Sequence, residues 1–274
     1  MALEAPYPDL AELIAAIGEA GQRLSEIEAS EGAAGNISVY IGWPLEPRRI
    51  FPQAETIALP EAVPELAGRL FLVTGSGRRL RDIIHDPAAN LGALVVNEGG
   101  ATGALYTSQR RLFARLTSEF NSHLAVHRQQ IRRSGTNFHA VVHAQPVHIV
   151  HLSHIADYRD ETYLNRHLLR WQPETIITLP EGLGIAPFFP PGSADLMTAT
   201  LAALRDHPVV LWCKHGLVAR SDQSVKRAAD RIEYVETAAR YEFMNLVNGN
   251  RAEGLTAEEI RAIAAAFNVK QSYF

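Results

Sequence analysis

The chain has 274 residues, 47% hydrophobic, 20% charged and 8% aromatic, enough apolar material for a sizeable core and too much for a disordered tail or a fibre. Against 26 basic side chains stand 30 acidic ones, a formal net charge of -4, which gives no general attraction to nucleic acid or anionic lipid and leaves room only for a local basic pocket. The single cysteine, Cys213, excludes an intrachain disulfide and a cysteine-rich zinc knuckle. No apolar run nears the roughly 20 residues of a membrane helix, and the opening stretch lacks the basic flank of a secretory signal. The expectation is a cytoplasmic protein with no nucleic-acid or membrane partner.

In chain order, Leu10, Leu13, Ile14, Ile17 and Leu24 recur at helical spacing and predict a first helix that ends before Ser30. A turn then enters a strand at Asn36, with Ile37, Val39 and Ile41 alternating with Ser38 and Tyr40. A proline-rich excursion covers about residues 42–69, where Pro44, Pro47, Pro52, Pro60 and Pro64 forbid a long helix or central strand and leave TIALP as a short edge strand. RLFLVTGSG and ANLGALVVNEGG read as strands. From Thr107 the pattern turns helical, with Ser108 capping a short helix and Phe120, Leu124, His127 and Ile131 forming one stripe of a longer one. NFHAVVHAQ predicts a strand, Pro146 the first residue of a following helix, and TIITLP, GIAPF and VVLWCKHGLVA further strands, before two closing helices. The sum over residues 1–274 is one α/β domain with a mixed sheet. Gly75-Ser76-Gly77 lacks the third glycine of a dinucleotide loop, and no GxxxxGK spacing is present.

Of 11 histidines, eight fall between His123 and His167. On a strand, His139, Val141 and His143 share a face, Gln145 continues it, and His148, His151 and His154 follow at i,i+3 spacing on a helix. The group reads either as metal ligands or as a surface patch, and it lacks HExxH. His215 sits where a buried-looking strand meets a loop, beside Gly216, whose missing side chain lets backbone approach a bound group; a structural histidine is the other reading. Cys213 reads as buried filler at least as well as a thiolate. Glu119 follows Thr117 and Ser118: either a hydroxyl caps a helix whose positive end Glu119 favours, or the hydroxyls face a phosphate and the carboxylate handles a proton.

The succession Gly35-Asn36, Thr74-Gly75-Ser76-Gly77, Thr117-Ser118-Glu119, His143 and Lys214-His215-Gly216 resembles the zinc-dependent class II sugar-phosphate aldolases of the class II aldolase/adducin-head family, from about the first helix to the last. The resemblance implies a three-layer α/β/α domain around a mixed central sheet, a small phosphorylated ketose as substrate, a homotetramer, and a divalent metal, Zn2+ above others. It implies His143 and His215 as ligands, with Gln145 where the family carries a second histidine, so that Gln145 is a replacement ligand through its amide oxygen and His148 or His151 an alternative. Asn36, Ser76, Gly77, Thr117 and Ser118 would gather round the phosphate, Glu119 would be the acid/base, and Glu174 would support the active site or simply anchor its loop. The excursion, DPAANLGALVV and the segment from Trp171 to Glu174 look most like the branch that cleaves L-rhamnulose 1-phosphate to dihydroxyacetone phosphate and L-lactaldehyde. Cleavage of another small sugar phosphate and a non-catalytic adducin-head-like interaction protein stand as alternatives.

Overall fold

The computed structural model describes residues 2–274. Helix α1 (Leu10–Glu26) starts at Asp9, whose carboxylate and the Glu12 carboxylate each accept the other residue's backbone N–H, a reciprocal cap. The strands are β1 (Asn36–Ile41), β2 (Gln53–Ala58), β3 (Leu70–Thr74), β4 (Leu91–Val96), β5 (Thr102–Thr107), β6 (Phe138–Ala144), β7 (Leu183–Ala186), β8 (Val209–Trp212) and β9 (Gly216–Ser221). Between and after them run α2 (Pro87–Asn90), α3 (Phe120–Ser134), α4 (Val147–Leu152), α5 (Glu161–Leu169), α6 (Pro173–Thr178), α7 (Ala194–Ala203), α8 (Val225–Val247) and α9 (Ala257–Ala266).

Among the described residues nine strands form one sheet in the order β2-β5-β4-β3-β1-β6-β9-β8-β7, and of its pairings only β7 with β8 is parallel, so the sheet is mixed. The period of two along β1 and β6 then assigns faces. Ile37, Val39, Ile41, Phe138, Ala140 and Val142 pack into the core shared with α1 and α8, while Tyr40 and Val141 pack toward α3 and α7. Helices therefore cover both faces, giving the expected three-layer α/β/α domain. Double coverage also explains why every residue of β1 and β6 is buried, against the one-sided alternation expected for β1.

Four local expectations are corrected. TIITLP is not a strand, its first four residues ending α6: Pro173 occupies the first turn, and the Thr175 hydroxyl donates to the Gln172 carbonyl at 2.7 Å, with that of Leu169 at 3.1 Å, so β-branched residues bury one helical face against α8 and α9. No helix begins at Ser108. Its hydroxyl instead accepts the Arg110 N–H in a turn, and the chain stays irregular up to α3. The sequence reading also ran past β5, whose Gly103 and Ala104 are poor strand formers; pairing on both sides, with β4 and β2, makes it a strand. Pro146 lies one residue before α4, as its cap residue rather than its first residue. TIALP does contribute to an edge strand, β2.

Gly216 has a different use from the one expected. It lets β9 close onto the end of β6: a Cβ there would stand 2.4 Å from the Ala144 carbonyl oxygen and 2.8 Å from His143 Cε1. Gly216→Ala is expected to cost about 1–3 kcal/mol by overpacking. Gly99→Ala, at φ +82 with nothing within 4 Å, is expected to lose only the left-handed conformational term of about 1–2 kcal/mol. Denaturant titration of both variants checks this, and a Gly216→Ala loss below that of Gly99→Ala would refute the close approach.

Candidate metal centre

Three elements converge on one buried spot. His143, near the end of β6, has its Nδ1 2.9 Å from the Leu217 carbonyl oxygen. A carbonyl only accepts, so Nδ1 carries the proton and the Nε2 lone pair is free to meet a cation. His215 sits in the three-residue connection from β8 to β9. There Lys214 is held at φ +62, its N–H donates to Ser153 Oγ at 2.7 Å, and the His215 N–H donates to the Trp212 carbonyl at 3.0 Å. Trp212 packs against both imidazoles, at centroid distances of 4.8 and 5.1 Å, and its indole N–H donates to Thr200 Oγ1.

Glu119 immediately precedes α3, and its side chain makes no cap bond to that helix. The cap residue is Glu119 itself, neither Thr117 nor Ser118, although the Thr117 hydroxyl accepts the Glu119 N–H at 3.4 Å. The carboxylate turns inward: Oε2 accepts the Asn36 side-chain N–H at 2.7 Å and stands 3.7 Å from His143 Nε2, while Oε1 stands 3.5 Å from His215 Nε2. Those two gaps are too long for hydrogen bonds. They are close to the roughly 3.3–3.6 Å that separates ligands about 2.0–2.2 Å from a shared zinc-sized ion around a tetrahedron, the 3.7 Å gap lying just beyond it and each gap reaching a different carboxylate oxygen. Glu119, His143 and His215 form the one such group among the described residues, with all ligand atoms within 4.8 Å of one another. Their electrostatics agree with that spacing. Burial pushes the Glu119 carboxyl up, but His143, the Asn36 amide, His215 and His123 together hold it below its ordinary range. Burial, reinforced by His143 and opposed by Glu119, pushes His215 down to about 4. An ionised carboxylate beside an unprotonated imidazole is the state a divalent cation needs.

Beside this group, the 75–77 turn is tied to the segment leading into α3 by the Gly75–Leu116 bridge and by Ser76 N–H to Arg115 O and Thr117 N–H to Thr74 O. Ser76, Gly77, Thr117 and Ser118 are thereby brought onto two joined loops next to Glu119. Thr117 is buried, Ser76 half-buried, and Gly77 and Ser118 exposed. Gly75 has to lack a side chain, since a Cβ would meet the Phe113 ring at 2.2 Å. Asn36, expected at the phosphate, spends its amide N–H on Glu119 and leaves its Oδ1 buried without a partner. Gln145 is half-buried on the other flank, its Cγ 3.2 Å from where a Gly216 Cβ would lie.

Other expected residues lie apart from the group. His148 Nδ1 is 2.6 Å from Glu236, exposed His151 packs its ring on Phe243, and Glu174 is exposed in the first turn of α6. Cys213 is buried, which pushes its thiol up, away from thiolate chemistry. What the sequence reading missed lies deeper. Ser38 Oγ is 2.6 Å from His123 Nδ1 and 2.7 Å from His127 Nε2, and His127 Nδ1 is 2.9 Å from His139 Nδ1. The available signal was the i,i+4 spacing of His123 and His127, with Ser38 and His139 on the face of β1 and β6 turned toward them.

These three histidines are buried, and burial pushes His123 and His139 down to about 3 and His127 well below its ordinary value. Unfolded, they protonate near 6.5, so below that pH the unfolded chain binds more protons and stability must fall as pH falls. Each such histidine contributes a slope of about 1.4 kcal/mol per pH unit, together about 4 kcal/mol per unit through pH 5. Denaturant titrations from pH 7.5 to 4.5 are expected to show this loss, and His127→Asn a shallower one; a flat profile would mean the chain is not neutral in the folded state.

The family model for the class II aldolase and adducin N-terminal domain matches residues 15–243. Rhamnulose-1-phosphate aldolase of Bacteroides thetaiotaomicron is 28% identical over 264 residues, 96% of each chain. That of Yersinia pestis is 30% identical over 244 residues, 87% of each chain. Among solved structures, a sugar-phosphate aldolase from Thermotoga maritima superposes with a TM-score of 0.74 at 27% identity, covering 89% of this chain and 98% of that one. An L-fuculose 1-phosphate aldolase shares the fold at a TM-score of 0.59 and 18% identity, over 97% of this chain and all of that one. With a model matched along most of its length and a Glu/His/His group able to bind a divalent metal, the chain belongs to the class II aldolase and adducin N-terminal domain family.

Proposed function

We propose that the protein is a metal-dependent lyase that cleaves L-rhamnulose 1-phosphate to dihydroxyacetone phosphate and L-lactaldehyde. The observation that carries this reading is the buried Glu119 carboxylate facing the Nε2 atoms of His143 and His215 at 3.7 and 3.5 Å. A divalent cation held by these three residues, Zn2+ best suiting two imidazoles and a carboxylate, supplies polarisation of the ketose carbonyl. Glu119 then does the proton work. Its Oε2 is tied to Asn36, which leaves Oε1 to take the C4 hydroxyl proton as the C3–C4 bond breaks and to return a proton to C3 of the resulting enediolate. Thr117, Ser118, Ser76 and the open backbone at Gly77 offer short neutral donors to the phosphate. Trp212 walls the centre from behind.

Two curated rhamnulose-1-phosphate aldolases at 28–30% identity over 87–96% of the chain favour that sugar over other small ketose phosphates. The intact Glu/His/His group opposes a purely structural, non-catalytic role. The family resemblance carries with it the expectation of a homotetramer and of Glu174, exposed in the first turn of α6, as active-site support or a loop anchor.

The direct test is release of dihydroxyacetone phosphate from L-rhamnulose 1-phosphate, compared with L-fuculose 1-phosphate, by metal-loaded protein. Glu119→Gln is expected to fold normally and, at saturating metal, to lower turnover by about 10²–10⁴-fold. Near-normal turnover removes Glu119 from the proton transfer. Metal titration of the apoprotein is expected to give one divalent ion per chain, with His143→Ala and His215→Ala abolishing most binding. Gln145→His should hold zinc as well or better, because imidazole suits zinc more than a neutral amide. His151→Ala should bind as the natural protein does; if it loses metal as fully as His143→Ala, the ligand set is wrong.

A further inference from the structure

The 75–77 turn and the segment leading into α3 are stitched together at their inner end by backbone, through Thr117 N–H to Thr74 O at 3.0 Å and Ser76 N–H to Arg115 O at 2.9 Å. The outer limb of the turn has no comparable support. Gly77 is exposed at φ +72, and a Cβ built on it would meet nothing within 4 Å. The Arg78 N–H reaches the Gly75 carbonyl only at 3.3 Å, and the next firm anchor is the buried Leu80. Backbone contacts thus leave little to stop the turn tilting, and a tilt would shift Ser76 and Gly77 relative to Thr117 and Ser118.

One side chain closes that gap. Arg78, whose side chain is only 20% exposed, donates through Nε to Asn90 Oδ1 at 2.7 Å and through Nη1 to the Leu112 carbonyl at 3.3 Å. Both acceptors are themselves fixed. Buried Asn90 donates its amide to the Asp86 carbonyl at 2.7 Å and accepts the Gly75 N–H on its own carbonyl at 2.9 Å, while the Leu112 N–H donates to Ala89 O at 2.9 Å. A single guanidinium therefore joins the turn, the end of α2 and the segment leading into α3. Its planar fork holds donors in fixed directions and can bridge two acceptors; an ammonium on a flexible stem carries the same charge without that geometry.

We infer that Arg78 is a positioning residue: bridged between Asn90 and Leu112, it holds the Ser76–Gly77 turn at a fixed spacing from Thr117 and Ser118, and that spacing sets how tightly a phosphate is held between the two loops. The inference rests on the reading of those loops as the phosphate site. Arg78 acts through the loops and does not ligate the phosphate, since the two bonds it makes are spent on the protein. Arg79 beside it is exposed and brings the same charge without the bridge, which separates position from charge.

Binding of inorganic phosphate to the metal-free full chain, where no cation holds a phosphate oxygen, tests this at constant ionic strength, with Ser76→Ala as the marker of the phosphate site. Arg78→Lys, which keeps the charge and loses the fork, and Arg78→Gln are both expected to weaken binding by roughly 10–100-fold, as when hydrogen bonds to a charged partner are lost. Arg79→Gln is expected to change it by no more than about twofold, the effect of one exposed, screened charge. Hydrogen exchange of peptides covering 74–78 and 112–118 should speed up in Arg78→Lys while those of β1 and β6 keep their protection. In the metal-loaded protein the Arg78 variants should raise KM for the phosphorylated ketose by a similar factor, with kcat, metal content and the KM for the dephosphorylated ketose unchanged. Given a Ser76→Ala protein that binds phosphate more weakly, native binding by Arg78→Lys, an Arg79→Gln loss equal to that of Arg78→Gln, or unchanged exchange in both loops overturns the positioning role alone. If Ser76→Ala binds phosphate as the natural protein does, the phosphate-site reading falls and takes the positioning role with it.

Discussion

A carboxylate that is 4% exposed, like Glu119, cannot stay ionised without compensation, since removing it from water costs several kcal/mol. Within the chain the one hydrogen bond to it comes from the Asn36 amide, and no Arg or Lys pairs with it among the described residues. That leaves negative charge uncancelled beside the His143 Nε2 lone pair, where a divalent cation would complete the centre electrostatically.

The sheet supplies the precision. In the β1–β6 register Asn36 stands directly opposite His143, and in the β6–β9 register His143 stands opposite Val218, one residue from the carbonyl that fixes its tautomer. A slip of one residue in either pairing would turn His143 toward the α1 layer. His215 is placed by a tight connection instead, with Lys214 in a conformation that costs a side-chain-bearing residue roughly 1–2 kcal/mol. Ser153, itself buried between α4 and this connection, repays part of that by accepting the Lys214 N–H. Strain next to a functional side chain is thereby held in place by a hydrogen bond from another layer.

Much of this was legible in the sequence because it depends on local pattern. The first helix, most strands, the position of Asn36 at a strand entrance, and His143, His215 and Glu119 as separate chemical suggestions all follow from spacing and residue type. The family resemblance joined those three into one centre, which periodicity alone does not do for residues far apart in the chain. Other features depend on tertiary context. The helix at TIITLP overrides β-branched preference through a proline start and buried contacts, and β5 is a strand because it has partners on both sides. Ser38 looked like the polar side of a half-exposed strand, and only coverage by α3 makes it a buried bridge between two histidines.

Gln145 illustrates the difference between a substitution in sequence and one in a site. Set against a family that carries histidine there, it looks like a missing ligand. In the folded chain Glu119 already brings a third donor to His143 and His215, and Gln145 sits on the flank beside Gly216. Replacing a neutral imidazole by a neutral amide leaves the charge of the centre unchanged; what changes is softness, because an amide oxygen is a harder and weaker donor than an imidazole nitrogen. The substitution therefore bears on how tightly a cation is held and on which cation is preferred. It does not touch the features that make the spot a cation site: the unbalanced carboxylate, the lone pair that Leu217 directs by holding the His143 Nδ1 proton, and the packing of Trp212 against both imidazoles.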